Sequence, residues 1–330
     1  MKAVVQRAHG GPEVLTVEQV AAPVPLAGEV AVAVRAAALN RLDLAQLRGP
    51  VLPGFSLPHI GGLDLAGDVV AVGPGVDTAL VGTRVVVDPQ VAGADWPIVL
   101  GGNAPGGFAE LCAVPAQNAH PIPAAVSHQE AAALPTAYAT AWRSLFGVGE
   151  LAAGQWLLIH GAGSALSLAA LQLAVRAGAH VVVSGRGDGR LAVARRLGAA
   201  AVVDADSTDV AAAVRAATGG HGADVALDHV GAATFTASLH SLAPGGRLVC
   251  VGNTSGDSAR IPSLAYLFHR GLQILGAGAY SRQDFVAALS ACWSLGCAAV
   301  IDQVGRFEDV GRFHRRLLAG PVAGKLVVTP

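Results

Sequence analysis

A two-domain α/β chain is what the sequence predicts: a β-rich unit joined to a doubly wound parallel sheet. Three observations carry this. At 330 residues the chain has room for about two domains, at roughly 150 residues each. Its composition, 52% apolar and 14% charged, supports large buried cores and argues against disorder. Its texture changes near residue 124, from short Gly/Pro-punctuated runs to strands alternating with helix-length Ala/Leu/Arg segments.

In the first part the runs MKAVVQ, GEVAVAVRAA, GDVVAVG, GTRVVVDP and AELCAVP read as strands of a compact antiparallel unit. In the second part six apolar strands are expected: WLLIHG (156–161), HVVVSG (180–185), AAVVDA (200–205), DVALDHV (224–230), GRLVCVG (246–252) and LQILGAG (272–278). Helices are expected over 164–177, 188–197, 207–217 and 233–242. Short apolar strands with helical crossovers make a parallel sheet covered on both faces, and six of them fit a dinucleotide-binding sheet. The tail reads as two helices, SRQDFVAALSACWSL and FEDVGRFHRRLLAG, then a strand, GKLVVTP, returning to the first unit. The expected division is 1–123 with 277–330 for the β-rich domain and 124–276 for the parallel sheet.

A formal charge of −1 and the lack of a basic stripe argue against nucleic acid and membrane surfaces as partners; a small molecule is expected instead. Lys2 and Lys325 are the only lysines, which leaves little scope for lysine chemistry. Cys112, Cys250, Cys292 and Cys297 form no CxxC pair, so neither a disulfide framework nor a structural zinc is indicated. No signal peptide or membrane span is read from the sequence, so a cytoplasmic protein is expected.

The first expected strand of the parallel sheet runs into HGAGSALS. A pyrophosphate sits on backbone N–H groups at a helix N-terminus, and glycines let the backbone approach it. Gly161 and Gly163 supply part of the GxGxxG pattern; Ser164, Ala165 and Leu166 follow, with Leu166 where a third glycine is wanted. The Cβ of Ala165 close to the phosphate path predicts weakened cofactor binding. At the end of the second strand an NAD site places a carboxylate for the ribose 2′-hydroxyl. Here Ser184, Gly185 and Arg186 stand, with Arg190 one helical turn on, a set suited to the 2′-phosphate of NADPH. Asp188 is the counter-argument for NADH.

Along its whole length the chain resembles the medium-chain dehydrogenase/reductase superfamily, in particular its zinc-independent quinone oxidoreductase-like branch. The resemblance is carried by AALNRLDLAQLRG (37–49), PHIGGLDLAGDVVAVGPGV (58–76), GGFAELCAVP (106–115), EAAALPTAYATAWRSL (130–145), HGAGSALSLAALQLA (160–174), GRLVCVGNTSG (246–256), YLFHRGLQILGAG (266–278) and GKLVVTP. It implies a GroES-like catalytic domain, a Rossmann domain and an active-site cleft between them. In the zinc alcohol dehydrogenases a Cys stands where Asn40 is, a His-Glu pair where Leu63 and Asp64 are, and a further Cys near Thr136. Asn, Leu and Thr do not make a zinc ligand set, and residues 91–105, where a structural zinc lobe would fall, contain no cysteine. No metal is expected.

The zinc-free relatives reduce quinones, enones and enoyl thioesters with NADPH. The resemblance therefore implies a hydride-transferring enzyme with Asn40, Asp43 and Thr136 at the catalytic site. Asn40 is expected to orient the carboxamide or a substrate oxygen, and Asp43 to brace its loop. Thr140, His229, Gly231, Gly252, Asn253 and Thr254 are expected to border the cofactor. Ala205 stands where some members carry a tyrosine against the adenosine. Two other readings stand beside this one: a specialised biosynthetic enzyme, reducing an imine or doing non-redox chemistry, and a non-catalytic NADPH-binding protein. The apolar sixth strand is an edge of the sheet and needs cover; pairing across a two-fold axis, as the resemblance implies, makes a homodimer, and a monomer whose edge is covered is the alternative.

Overall fold

The computed structural model describes residues 1–91, 97–320 and 322–330. The chain divides into two compact units, residues 1–136 with 298–330 and residues 137–297. Both boundaries lie later than the change of texture in the sequence. Residues 124–136 stay with the first unit, where Thr136 is hydrogen-bonded to Asp64. The helix Arg282–Leu295 stays with the second, where Arg176 donates to Gly296 O just beyond its end.

The first unit is built around the strand Glu29–Ala38, whose sequence EVAVAVRAAA is apolar nearly throughout. Asp64–Val72 pairs with it antiparallel on one side, and Lys325–Thr329 on the other. The seven-stranded sheet so formed carries Ile301–Arg306 beyond the last strand, so the tail completes the first unit. Val30, Val32, Leu65, Phe108, Phe313, Leu326 and Val328 are the centre of its core. Register decides what meets at the end of this sheet. Ala38 pairs with both Asp64 and Val327. The antiparallel count therefore sets Lys325 opposite Asn40, with Asp64 on the other flank. Just beyond Ala38 the helix Arg41–Arg48 begins, in a stretch where no strand is expected.

In the second unit six parallel strands lie in the order Ala201–Asp204, His180–Gly185, Trp156–His160, Ala223–Asp228, Leu242–Cys250, Gln273–Gly276. This is the dinucleotide-binding order, in which the strand order reverses between the first and fourth strands; ligands bind outside the carboxyl ends there. Leu157, Leu158, Ile159 and Val181 have no exposed surface, as expected of strands covered on both faces. The helices Ala165–Arg176, Asp188–Arg196, Val210–Ala217 and Phe235–Ser241 fall within the expected segments. No helix among the described residues is long and apolar enough to cross a membrane.

Candidate active site

In the second unit the site residues gather where the first and fourth strands end. Gly161 has φ +79°, and a Cβ there would lie 2.9 Å from His229 Cε1. Only glycine suits both that backbone and that neighbour. The next residue is held against the second strand by Ala162 N–H donating to Ser184 O at 3.1 Å. Ser164 is the N-cap of the helix Ala165–Arg176, but its hydroxyl makes no cap bond. The N–H groups of the first turn are therefore not consumed by a side-chain cap, which leaves them for an anion. Ala165 and Leu166 are half-buried beside them and Gly163 is buried.

Two further loops close on this turn. Ser255 N and Oγ both donate to Val230 O, at 2.8 and 2.7 Å, and Ala232 N donates to Gly256 O. A Cβ on Gly231 would stand 2.6 Å from Gly256 O, and one on Gly252 2.8 Å from His229 O. The structure thus brings His229, Gly231, Gly252, Asn253 and Thr254 together, with Asn253 and Thr254 exposed. Thr140 is half-buried on the helix Pro135–Trp142. Among the described residues no hydrogen bond joins it to these loops.

Ser184 departs from the role expected of it. It is 1% exposed and its hydroxyl lies 2.6 Å from His160 Nδ1. Strand alternation turns it inward, so the expected set loses its hydroxyl and keeps only Arg186 and Arg190. Arg186 is exposed and reaches Asp206 at 3.4 Å, while a Cβ on Gly187 would stand 3.4 Å from the Arg190 guanidinium. An exposed pair of this kind is worth little, so Arg186 is not costly to recruit to a ligand. Asp188 is exposed at the start of its helix.

Beneath the loops runs a polar network that the sequence did not reveal. Asp228 accepts from Val230 N, Gly231 N, Thr234 Oγ1 and Ser238 Oγ. Burial pushes its carboxyl up, but His160, the Gly231 N–H and the two hydroxyls outweigh that and hold it below the usual range. Because Ser238 gives its proton to the carboxylate, it accepts from His160 Nε2 at 3.0 Å, and His160 Nδ1 accepts from Ser184. Burial pushes the His160 imidazole down to about 4, so it is neutral. Ser167 donates to His160 O and lies 2.8 Å from His229 Nε2. The network pins the carboxyl ends of three strands to two helices.

In the first unit the expected catalytic residues surround a buried ion pair. Lys325 Nζ donates to Asp64 Oδ2 at 2.6 Å, to Asn40 Oδ1 at 2.6 Å and to Leu39 O at 3.3 Å. Lys325 is 3% exposed and Asp64 not at all. Thr136 donates to Asp64 Oδ1 through both its hydroxyl, at 2.5 Å, and its backbone N, at 3.0 Å. Asp43 accepts from Asn40 N at 2.7 Å and Gly62 N at 3.0 Å. It thereby ties the start of the helix Arg41–Arg48 to the strand Asp64–Val72 through the turn at Gly62. Burial pushes the Asp43 carboxyl up to about 7, against the two N–H groups. Lys325 is not among the residues that sequence reasoning singles out for the site. A signal exists: one of only two lysines opens an apolar strand.

Comparisons with known proteins agree with this architecture. Residues 26–124 match the family described as "Alcohol dehydrogenase GroES-like domain", and residues 165–294 the family described as "Zinc-binding dehydrogenase". A quinone oxidoreductase-like protein 2 homolog of Nematostella vectensis is 32% identical over 258 residues, covering 78% of this chain and 67% of that one. A mycocerosic acid synthase-like polyketide synthase of Mycobacterium tuberculosis is 35% identical over 231 residues, covering 69% of this chain and 10% of that one. The chain thus corresponds to a small part of that synthase. Among solved structures, an NAD-dependent alcohol dehydrogenase superposes with a TM-score of 0.95 at 36% identity, over 100% of both chains. A crotonyl-CoA carboxylase/reductase in complex with NADP superposes with a TM-score of 0.90 at 25% identity, over 100% of this chain and 94% of that one. The fold and the comparisons thus define an oxidoreductase built of two units. The chain belongs to the medium-chain dehydrogenase/reductase superfamily.

Proposed function

We propose that this protein is an NADPH-dependent reductase of a quinone or an activated C=C bond, an enone or enoyl thioester, that works without zinc. The observation that carries this reading is the Lys325 ammonium lodged between Asn40 Oδ1 and Asp64 Oδ2. These are positions that the resemblance assigns to the metal region, and a cation already sits between their inward oxygens. A second cation there would meet the ammonium's charge at close range. Without a Lewis acid to stabilise an alkoxide, simple alcohol oxidation is disfavoured, whereas reduction of a conjugated system needs only donors at the carbonyl oxygen.

The residues present fit the dinucleotide. The uncapped turn at 165–167 suits the pyrophosphate, and Arg186 with Arg190 suits the 2′-phosphate. Bound NADPH supplies the hydride. The protein's part is to hold the cofactor on these N–H groups and guanidinia, and to place a donor at the substrate oxygen as charge collects there. Asn40, with only its oxygen engaged by Lys325, is that donor.

The test is NADPH oxidation with a panel of quinones, enones and enoyl thioesters, using chelator-treated protein, together with cofactor titrations followed by intrinsic fluorescence. Turnover is expected to survive chelation. Arg186→Ala/Arg190→Ala should weaken NADPH ~10–100-fold, on the scale of one or two exposed charge-assisted hydrogen bonds, and leave NADH nearly unchanged. A second reading, NADH with Asp188 on the ribose, is favoured by the NAD-dependent neighbour. Preference for NADH, insensitive to the arginines, would establish it instead.

Two copies are proposed to pair through the outer edge of the strand Gln273–Gly276. Among the described residues that strand is bonded on one side only, and Ile274 is exposed on it, as are Leu264 and Phe268 on the preceding helix. Ile274→Lys should convert a dimer to a monomer in sedimentation equilibrium. A wild-type protein that sediments as a monomer would refute the pairing.

A further inference from the structure

We propose that Lys325 is a positioning residue: by holding Asn40 Oδ1 it fixes which end of the Asn40 amide is offered to the substrate. The inference rests on the reductase reading for its chemistry, but the geometry stands without it. An amide has one accepting end and one donating end, and the two are nearly the same shape. An ammonium has donors only. Lys325 Nζ, 2.6 Å from Oδ1, therefore admits a single orientation. Nδ2 is left with one long contact to Ala38 O at 3.4 Å, which uses at most one of its two protons. Asn40 is half-buried, so the second proton is the amide's free donor.

Lys325 is itself held. Its three N–H bonds go to Asp64 Oδ2, Asn40 Oδ1 and Leu39 O, so none is left for a substrate. Asp64 is pinned in turn by the Thr136 hydroxyl and backbone N–H on Oδ1. The order Thr136, Asp64, Lys325, Asn40 thus runs from a buried anchor to a partly exposed amide. Each bond in it admits a single direction: Thr136 and Lys325 both donate to Asp64, and Lys325 donates to Asn40, because each donor meets an oxygen that can only accept. Reversing the amide would set two Nδ2 protons against the ammonium. This gives the costly burial of an ion pair a purpose that stability does not supply.

The test is a double-mutant cycle with a spectroscopic arm. Asn40→Ala and Lys325→Met should each lower kcat for the best substrate ~100–1,000-fold, the range for one lost oxyanion donor. Lys325→Met should cost nothing further in the Asn40→Ala background. Lys325→Arg, which keeps a donor-only head, should recover part of the loss. Should Lys325→Met fold poorly, Asp64→Asn/Lys325→Met removes both charges and should show the same kcat loss. Losses that multiply in the cycle overturn the proposal. Independently of turnover, the ¹⁵N side-chain amide signal that disappears in Asn40→Ala should shift or broaden in the charge-free double variant. An unmoved signal overturns the positioning role. Absence of turnover in wild type, with the signal moved, overturns the reductase reading and leaves the positioning intact.

Discussion

His314→Leu is expected to stabilise the protein, and by more as the pH falls. His314 is 1% exposed, packed edge-on to Phe108 at 6.2 Å between ring centroids. Neither ring nitrogen has a hydrogen-bond partner among the described residues. Burial alone pushes its imidazole down from 6.5 to about 4. In the native state the ring stays neutral to about pH 4, while in the unfolded chain it takes a proton near 6.5. Between those values the unfolded state binds more protons, so stability is lost as pH falls through this window and is unaffected above it. At pH 5 the loss from this one group is ~2 kcal/mol, taking about 1.36 kcal/mol per unit. Leucine abolishes it. Leucine also removes two buried unpaired nitrogens, a gain on the order of 1–3 kcal/mol at any pH. Urea midpoints of the two proteins at about pH 7.5 and about pH 5, on either side of the ordinary histidine value, measure the difference directly. A gap that does not widen at the lower pH would mean the ring is protonated in the native state or has a partner. Comparing variant with wild type at each pH isolates this group. Asp43, raised to about 7, acts in the opposite sense: its contribution is full below the unfolded carboxyl value and is lost as pH rises through about 7.

What was legible in the sequence was what period and punctuation encode. Each of the six strands of the second unit contains an apolar run, although Leu242–Cys250 begins earlier than expected, and each expected crossover segment contains the helix found. Gly161, Gly231 and Gly252 were legible because each stands where a strand ends, and the structure gives each a close neighbour that a Cβ would strike. Side-chain direction was not legible. Ser184 reads as a ligand at the end of its strand, yet faces His160, because pleating, not position, decides which way it points. The ion pair was hidden for another reason. Asp64 and Lys325 are 261 residues apart and meet only through strand register, which no local pattern shows. Asp228, Ser238 and His160 meet the same way, across parallel strands and a helix. The unit boundaries fall elsewhere than expected because texture changes at residue 124, whereas contacts hold residues up to Thr136 in the first unit.

The largest loss of stability is expected from Lys325→Met. It leaves the Asp64 carboxylate with no exposed surface and only the Thr136 hydroxyl and N–H to compensate it. Removing one partner of a buried ion pair costs ~3–5 kcal/mol, because the uncompensated charge remains where water cannot reach it. Methionine nearly matches the lysine stem in shape, so little of the loss would come from packing. Asp64→Asn added to Lys325→Met should return most of it: the asparagine oxygen still accepts from Thr136, and no charge is left to bury. The pair would then show strong non-additivity, the double variant being more stable than the single one. Urea unfolding of the three proteins at neutral pH decides this. A loss below ~1 kcal/mol for Lys325→Met would place the pair among solvent-screened contacts. That outcome would contradict burial of both groups at the end of the central strand. A double variant no better than the single one would mean that Lys325 stabilises through Asn40 and Leu39 O rather than through Asp64. The distinction reaches the chemistry, because the same ammonium fixes the amide. A variant that regains stability without regaining turnover would separate the two roles of one buried lysine.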